Sequence, residues 1–382
     1  MPLSLSSAGG DKYGTEKIVI AQAVRTPWGV PGGSLEPLMS SDLSAPMLKA
    51  LLERSGVEPS AVDQVIFGQA HPSTMPNNIG HYAWLKAELP VEVPGYTVQI
   101  NTASALQALR NAYYLIATGN EKICIAGGAD SYSAAPFVMR DVRNHFYPKH
   151  RVVIDSLDEA ECCTQPQPMS RQEQYEKAYG EEQSERAAAY RKDSVQRAAV
   201  YAEAAAGEIV PLSYTVRKKG EIVVDKDEWL VKGVGEEPLA PYADGAAALL
   251  VMSGEEAQAK GVAPLAEVKG FAVVGADPAA PQDTGAMAVQ KLLKNKGLVL
   301  SDLAVLEIIE NSAEDVLHVV ETLGEGPAVN PMGGALAFGK NDGAEGIFMV
   351  MRLMTALKSG EKGVACVYSA GGMAMAVLFE KI

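Results

Sequence analysis

Val98-Gln99-Ile100-Asn101-Thr102-Ala103-Ser104-Ala105-Leu106-Gln107 reads as a short apolar strand, a turn of small residues and a helix that starts at Thr102. A strand that hands its last residue to a helix N-terminus is the repeating step of a parallel α/β layer. The first amides of such a helix carry partial positive charge, so a thiol placed there would ionise easily and attack well. The residue in that place is a threonine. Its hydroxyl ionises far higher and needs a neighbouring base before it can act as a nucleophile.

The pattern spreads in both directions. Residues 17–24 read as a buried strand, 41–54 as an amphipathic helix, 62–68 as a strand, 78–87 as a helix and 96–100 as the strand already quoted. The helix from Thr102 runs to 118, and a strand at 122–125 leads into Gly127-Gly128. After Asp244 the same series returns: strand 265–274, helix 286–295, strand 303–309, helix 313–322, a turn at Val329-Asn330-Pro331, helix 342–357, and closing strands 364–369 and 374–379. Finding the series twice predicts an internally duplicated α/β protein, with two sheets enclosing shared helices.

Between the halves the texture changes. Residues 184–206 are Ala-rich, charged and strongly helical, and a hairpin is expected over 207–231 around Lys218-Lys219-Gly220. The expected division is therefore 17–134 with 239–262 as the first half, 135–238 as an inserted loop domain, and 263–382 as the second half. Insertions of this kind on a rigid scaffold commonly carry substrate or oligomer contacts.

Composition sets the outer bounds. The chain has 382 residues and 47% hydrophobic content, enough for two or three substantial cores. A net charge of −14 argues against nucleic acid or an anionic membrane as partner. No apolar run reaches the roughly 20 residues a bilayer requires. The Ser/Gly-rich start, residues 1–16, has neither a signal-peptide core nor transit-peptide arginines and reads as a loose extension. Four cysteines in so long a chain do not form a disulfide framework, so a reducing cytoplasm is the expected setting.

Seven segments together resemble the thiolase superfamily, in order and across nearly the whole chain. They are Arg25-Thr26-Pro27 with Gly32-Gly33-Ser34-Leu35, the opening stretch 98–107, and Ala126-Gly127-Gly128-Ala129-Asp130-Ser131. The others are Glu208-Ile209-Val210-Pro211 closing the loop-domain helix, Asp244-Gly245-Ala246-Ala247, the glycine-rich turn Val329 through Gly339, and the closing Gly371-Gly372. The resemblance implies a thiolase-like α/β fold acting on acyl-CoA. In that family one cysteine takes the acyl group, a histidine activates it, a second cysteine moves the proton at the cleaved carbon, and an asparagine holds a water at an oxyanion hole.

Carried over residue by residue, those positions read Thr102 for the nucleophile, Lys340 for the histidine and Tyr368 for the second cysteine. Asn311 is retained, while the family's adjacent glutamate reads Ser312. Cys366 takes the second-cysteine role only through a two-residue slip, which keeps the same strand face. Otherwise it is a buried structural thiol, as Cys124 is expected to be. Cys162-Cys163 has no second pair for a metal, and His71, His81, His145, His150 and His318 show no ligand spacing, so no metal site is expected.

The resemblance implies coenzyme A as the carrier of the substrate. The segment that helps hold its adenine and 3′-phosphate end is shortened here, and Arg217, Lys218 and Lys219 remain as the candidate phosphate contacts. A basic hairpin tip can equally be a solvated face. Three functional readings follow. The first is acyl-CoA carbon–carbon chemistry without an acyl-enzyme, aldol or retro-aldol in type, with Asn311 acting through a water, Lys340 as a cation beside the developing charge and Tyr368 as the proton carrier. The second is a non-catalytic subunit paired with a thiolase-like or CoA-binding chain. The third is ordinary acyl transfer on Thr102. A homodimer or a mixed assembly is expected from the resemblance.

Overall fold

The computed structural model describes residues 16–73, 75–140, 142, 152–162, 168–181, 183–217 and 220–382. The Ser/Gly-rich start (except Glu16), His145, His150, Cys163, Lys218 and Lys219 lie outside these residues.

The first half runs β1 (Ile18–Arg25), α1 (Ser40–Ser55), β2 (Gln64–Gly68), α2 (Ile79–Lys86), β3 (Gly95–Val98), α3 (Ser104–Ala117) and β4 (Ile123–Asp130). The inserted segment contributes β5 (Phe137–Met139), β6 (Val153–Asp155), α4 (Ser156–Cys162), α5 (Arg171–Tyr179), α6 (Glu185–Ala204), the hairpin β7 (Leu212–Val216) and β8 (Gly220–Val224), and α7 (Glu228–Lys232). β9 (Gly245–Ser253) and α8 (Gly254–Lys260) close the first half. The second half runs β10 (Ala266–Gly275), α9 (Pro281–Lys296), β11 (Val305–Ile308), α10 (Ala313–Leu323), β12 (Ala328–Val329), α11 (Ala335–Phe338), α12 (Glu345–Ala356), β13 (Lys362–Ser369) and β14 (Met373–Lys381).

The duplication is visible in the strand order. One half reads β3-β2-β4-β9-β1 and the other β12-β11-β13-β14-β10, the same order element for element. In place of two separate sheets, the halves join into one ten-stranded sheet through a short antiparallel contact, Val19 opposite Glu267 and Ile20 opposite Ala266. Each half is parallel only where crossover helices link its strands. β2 pairs in parallel with β3 and β4, and β11 with β12 and β13, while the remaining pairings are antiparallel.

The equivalent helices α3 and α12 pack on each other, α3 against β2 and β4, and α12 against β11 and β13. Every residue of α12 from Glu345 to Met354 is buried, which fits a helix apolar on nearly all sides. Close approach of the halves depends on glycine. A side chain on Gly128, in β4, would place its Cβ 1.8 Å from the Gly343 carbonyl oxygen, just before α12. The turns entering these two helices therefore lie beside each other, and the ends of the parallel strands open onto them. In α/β sheets this is where ligands bind.

Candidate functional site

Helix α3 starts two residues later than the sequence suggests. Thr102 lies outside the helix, which begins at Ser104. Asn101 adopts a left-handed conformation (φ 53°), which asparagine tolerates better than most residues. The Ser104 hydroxyl accepts from the Ile100 amide at 2.9 Å and donates to the Asn101 carbonyl at 2.5 Å, so the turn is closed by a side chain. The Asn101 amide reaches across to the second half, donating to the Ala370 carbonyl at 3.1 Å.

The matching turn before α12 carries Lys340 and Asp342. The Asn341 amide pins it, donating to the Asp130 carbonyl at 2.9 Å and the Ala243 carbonyl at 2.8 Å, while its oxygen accepts from the Ala344 amide. That bond holds Asp342 out of the helix, so α12 begins at Glu345 and not at 342. Lys340 accordingly sits four residues before the N-cap Ala344 and not on the first turn of the helix.

Thr102, Asn311, Lys340 and Tyr368 all line one cavity of about 450 Å³. The sequence-derived set is therefore brought together. Tyr368 is buried, and its hydroxyl donates to the Ile309 carbonyl at 3.3 Å. Burial pushes its pKa well up, with Asp315 adding to the shift, so the phenol is a proton donor and not a base. The oxygen of the Asn311 amide is buried without a partner among the described residues.

Cys366 does not line this cavity. Its thiol faces the Gly285 carbonyl at 3.4 Å, and burial pushes its pKa up to about 12. Cys124 is likewise a buried core thiol, pushed up by burial. Arg217 is exposed beside the hairpin turn and takes no part in lining the cavity. His318 stands apart, against Asp283 at 2.6 Å. Among the described residues no group of three or more His, Cys, Asp or Glu side chains is arranged to hold a metal.

The structure also adds groups that the sequence did not single out. Asp342 receives Lys340 Nζ at 2.8 Å on one oxygen, and His71 Nε2 at 3.2 Å and the Tyr132 hydroxyl at 2.8 Å on the other. Burial alone would raise the Asp342 carboxyl, but Lys340 and His71 outweigh it and hold it well below the usual carboxylate range. Burial lowers Lys340, with Asp342 opposing and Arg171 reinforcing the fall. Burial also works against a charged His71, yet Asp342 and Asp130 more than compensate, and its pKa is raised. Asp130 anchors the loop behind His71 by accepting the Ala70 and His71 amides, each at 3.1 Å. Burial pushes Asp130 up to about 6.

His71 and Asn311 hold corresponding places, each three residues beyond the end of its strand, β2 or β11. The internal repeat was the signal that could have found His71. A carboxylate does flank Asn311, on the side opposite Ser312. Ser312 is the N-cap of α10, accepting from the Asp315 amide. Glu310, on the other side of Asn311, is a buried carboxylate that accepts from Ser194, Tyr190 and the Leu336 amide. It ties α6 to the glycine-rich turn.

The inserted segment roofs the cavity with α4 and α5. Arg171 lies 4.7 Å over the Tyr242 ring, whose other face stacks on Tyr132 at 4.3 Å. The Tyr242 hydroxyl donates to Glu161.

The whole chain is matched by two thiolase family models, the thiolase N-terminal domain over residues 18–255 and the thiolase C-terminal domain over residues 262–381. A probable acetyl-CoA acyltransferase of Staphylococcus aureus (strain COL) is 32% identical, over 96% of this chain and 99% of the relative. The crystal structure of the Bacillus anthracis acetyl-CoA acetyltransferase superposes with a TM-score of 0.88 at 30% identity, covering 96% of this chain and 99% of that one. A thiolase from Ascaris suum, solved in complex with coenzyme A, superposes with a TM-score of 0.85 at 30% identity, covering 96% of this chain and all of that one.

Proposed function

The chain belongs to the thiolase family, and from that premise we propose that it acts on acyl-CoA carbon–carbon bonds in this cavity without forming an acyl-enzyme. One observation carries the reading: neither of the described thiols, Cys124 and Cys366, lines the cavity, and the groups that do include Thr102, Lys340, Asp342, Asn311 and Tyr368. Acyl transfer through sulfur needs a thiolate. Cleaving or forming a carbon–carbon bond beside a thioester needs proton transfer and hydrogen-bond donors at the thioester oxygen.

For a 3-hydroxyacyl-CoA the steps balance without a further reactant. Lys340, held as a cation by Asp342 at 2.8 Å, stands beside the oxygen on which negative charge develops. The bond between C2 and C3 breaks, C3 becomes a carbonyl, and the electron pair passes to the thioester enolate. Thr102 and a water on Asn311 hold the enolate oxygen. Tyr368 carries the proton, giving its own to C2 and taking the 3-hydroxyl proton in exchange. The reverse sequence forms the bond.

The names of the relatives favour a second reading, ordinary acyl transfer, which here requires an ester on Thr102. Incubating the protein with 3-hydroxyacyl-CoAs and 3-oxoacyl-CoAs separates the two. The aldol reading predicts a shortened acyl-CoA and a free carbonyl compound from the hydroxy series, with no acceptor CoA needed. Finding both series untouched, with the protein alone and with its co-purifying partners, removes it and leaves the non-catalytic subunit.

Coenzyme A enters this reading as the carrier of the acyl group, supported by the related thiolase solved with it. Assembly with a second copy, or with a thiolase-like or CoA-binding chain, is part of the same proposal. It is supported by the outer position of β3 in the sheet and by exposed Tyr82, Leu85 and Val91 on and after the neighbouring α2. Light scattering of the purified protein, and of whatever co-purifies from the native cell, tests it.

A further inference from the structure

The cavity is an unusual home for an alkyl chain. Among the described residues, and apart from small residues, Pro281 and four tyrosines, its one aliphatic lining side chain is Leu239, while α5 and the adjoining segments turn Arg171, Gln174, Tyr179 and Asp315 toward it. We propose that the acyl group taken here is short and ends in a carboxylate, and that Arg171 reads that carboxylate. The inference rests on the reading of the chain as an acyl-CoA protein and specifies its substrate class.

Arg171 is held where a reader of planar anions is wanted. Its guanidinium stacks over the Tyr242 ring at 4.7 Å, which fixes its plane. Of its five donors, one reaches the Ala240 carbonyl at 3.2 Å and another is engaged by the Tyr242 side chain, which leaves a part of the fork for a ligand. Glu161 forms a loose ion pair with it at 3.8 Å, beyond hydrogen-bond length, and also receives the Tyr242 hydroxyl. The other carboxylates of the cavity are engaged. Asp342 is bound by Lys340 and His71, and Asp315 accepts from the Tyr179 hydroxyl at 2.8 Å. The side chain of Arg171 is only 16% exposed, so an alkyl chain filling the cavity would strip its remaining water without replacing those hydrogen bonds. A carboxylate replaces them, two at a time. The chain must be short, because Arg171 lines the same cavity of about 450 Å³ as Thr102 and Lys340.

The test is equilibrium binding of matched pairs, succinyl against butyryl and adipoyl against hexanoyl, each as the CoA thioester and as the truncated N-acetylcysteamine thioester. The expected result is a preference of about 10- to 100-fold for the carboxylate-ended member, abolished in Arg171→Met and partly kept in Arg171→Lys. Equal or tighter binding of the methyl-ended members, or an unchanged preference in Arg171→Met, overturns the inference, as does binding of neither truncated thioester. A preference among truncated thioesters with no gain from the CoA portion would count against the acyl-CoA reading while leaving the assignment of Arg171 intact. Circular dichroism of both variants establishes that they are folded.

Discussion

Lys340 and Asp342, two residues apart in the turn before α12, form a buried ion pair at 2.8 Å that faces the cavity. The intervening Asn341 points the other way, into the first half of the molecule, and fixes the turn there. The pair is thus mounted on the junction between the two halves, and it owes its geometry to both.

Removing either partner leaves a buried charge unmatched. Lys340→Met and Asp342→Asn are each expected to cost about 3–5 kcal/mol. The double variant should cost less than the sum by about 1–3 kcal/mol. Urea unfolding of the four proteins measures this, and strict additivity would mean the two charges do not interact.

Tyr368→Phe removes a hydroxyl whose described bond is a 3.3 Å contact to the Ile309 carbonyl. The structural cost should be about 1 kcal/mol. Turnover should fall about 100-fold or more if the phenol moves the proton. Turnover within twofold of wild type, in a protein of unchanged melting temperature, would confine Tyr368 to packing.

Thr102 separates a hydrogen-bond donor from a nucleophile. As a donor to the thioester oxygen, its loss in Thr102→Ala should lower kcat by about 10²- to 10³-fold, with Thr102→Ser restoring most of it. A nucleophile would leave no measurable turnover in Thr102→Ala, and steady-state kinetics distinguishes the two.

A buried cluster below the site makes stability depend on pH. Glu307 and Glu345 share Arg352, at 3.4 and 2.9 Å, and burial pushes Glu307 up to about 8 from its ordinary 4.5. As pH rises from 4.5 to about 8 the unfolded chain loses this proton first. The contribution of Glu307 to stability therefore falls across that window, by at most about 1.4 kcal/mol per pH unit, and is flat above it. Glu307→Gln should remove that decline in urea unfolding between pH 5 and 8. An identical slope in the variant would show that Glu307 is ionised throughout.

Most of the strand and helix series outside the inserted segment, the repeat and the four converging side chains were legible in the sequence, because each follows from local pattern or from position relative to glycines, whereas β9, paired on both sides inside the sheet, was not. The charge network was not. His71 and Asp342 are 271 residues apart, and nothing in the spacing of either signals a partner. Arg171 reads in the sequence as one more charged residue of a loop domain, and only the fold sets it over Tyr242. Helix starts were misjudged where a side chain took over an amide, Ser104 before α3 and Asn341 before α12. The lowering of Lys340 was legible, and burial is its largest cause.

The most direct test of acyl-enzyme-free chemistry is intact-protein mass spectrometry after acid quench during turnover of a cleaved acyl-CoA. The account predicts products accumulating while the protein mass stays that of the bare chain at every quench time. An acyl-sized mass increment that forms and decays at the rate of turnover, mapping to Thr102 or to any cysteine, would contradict it.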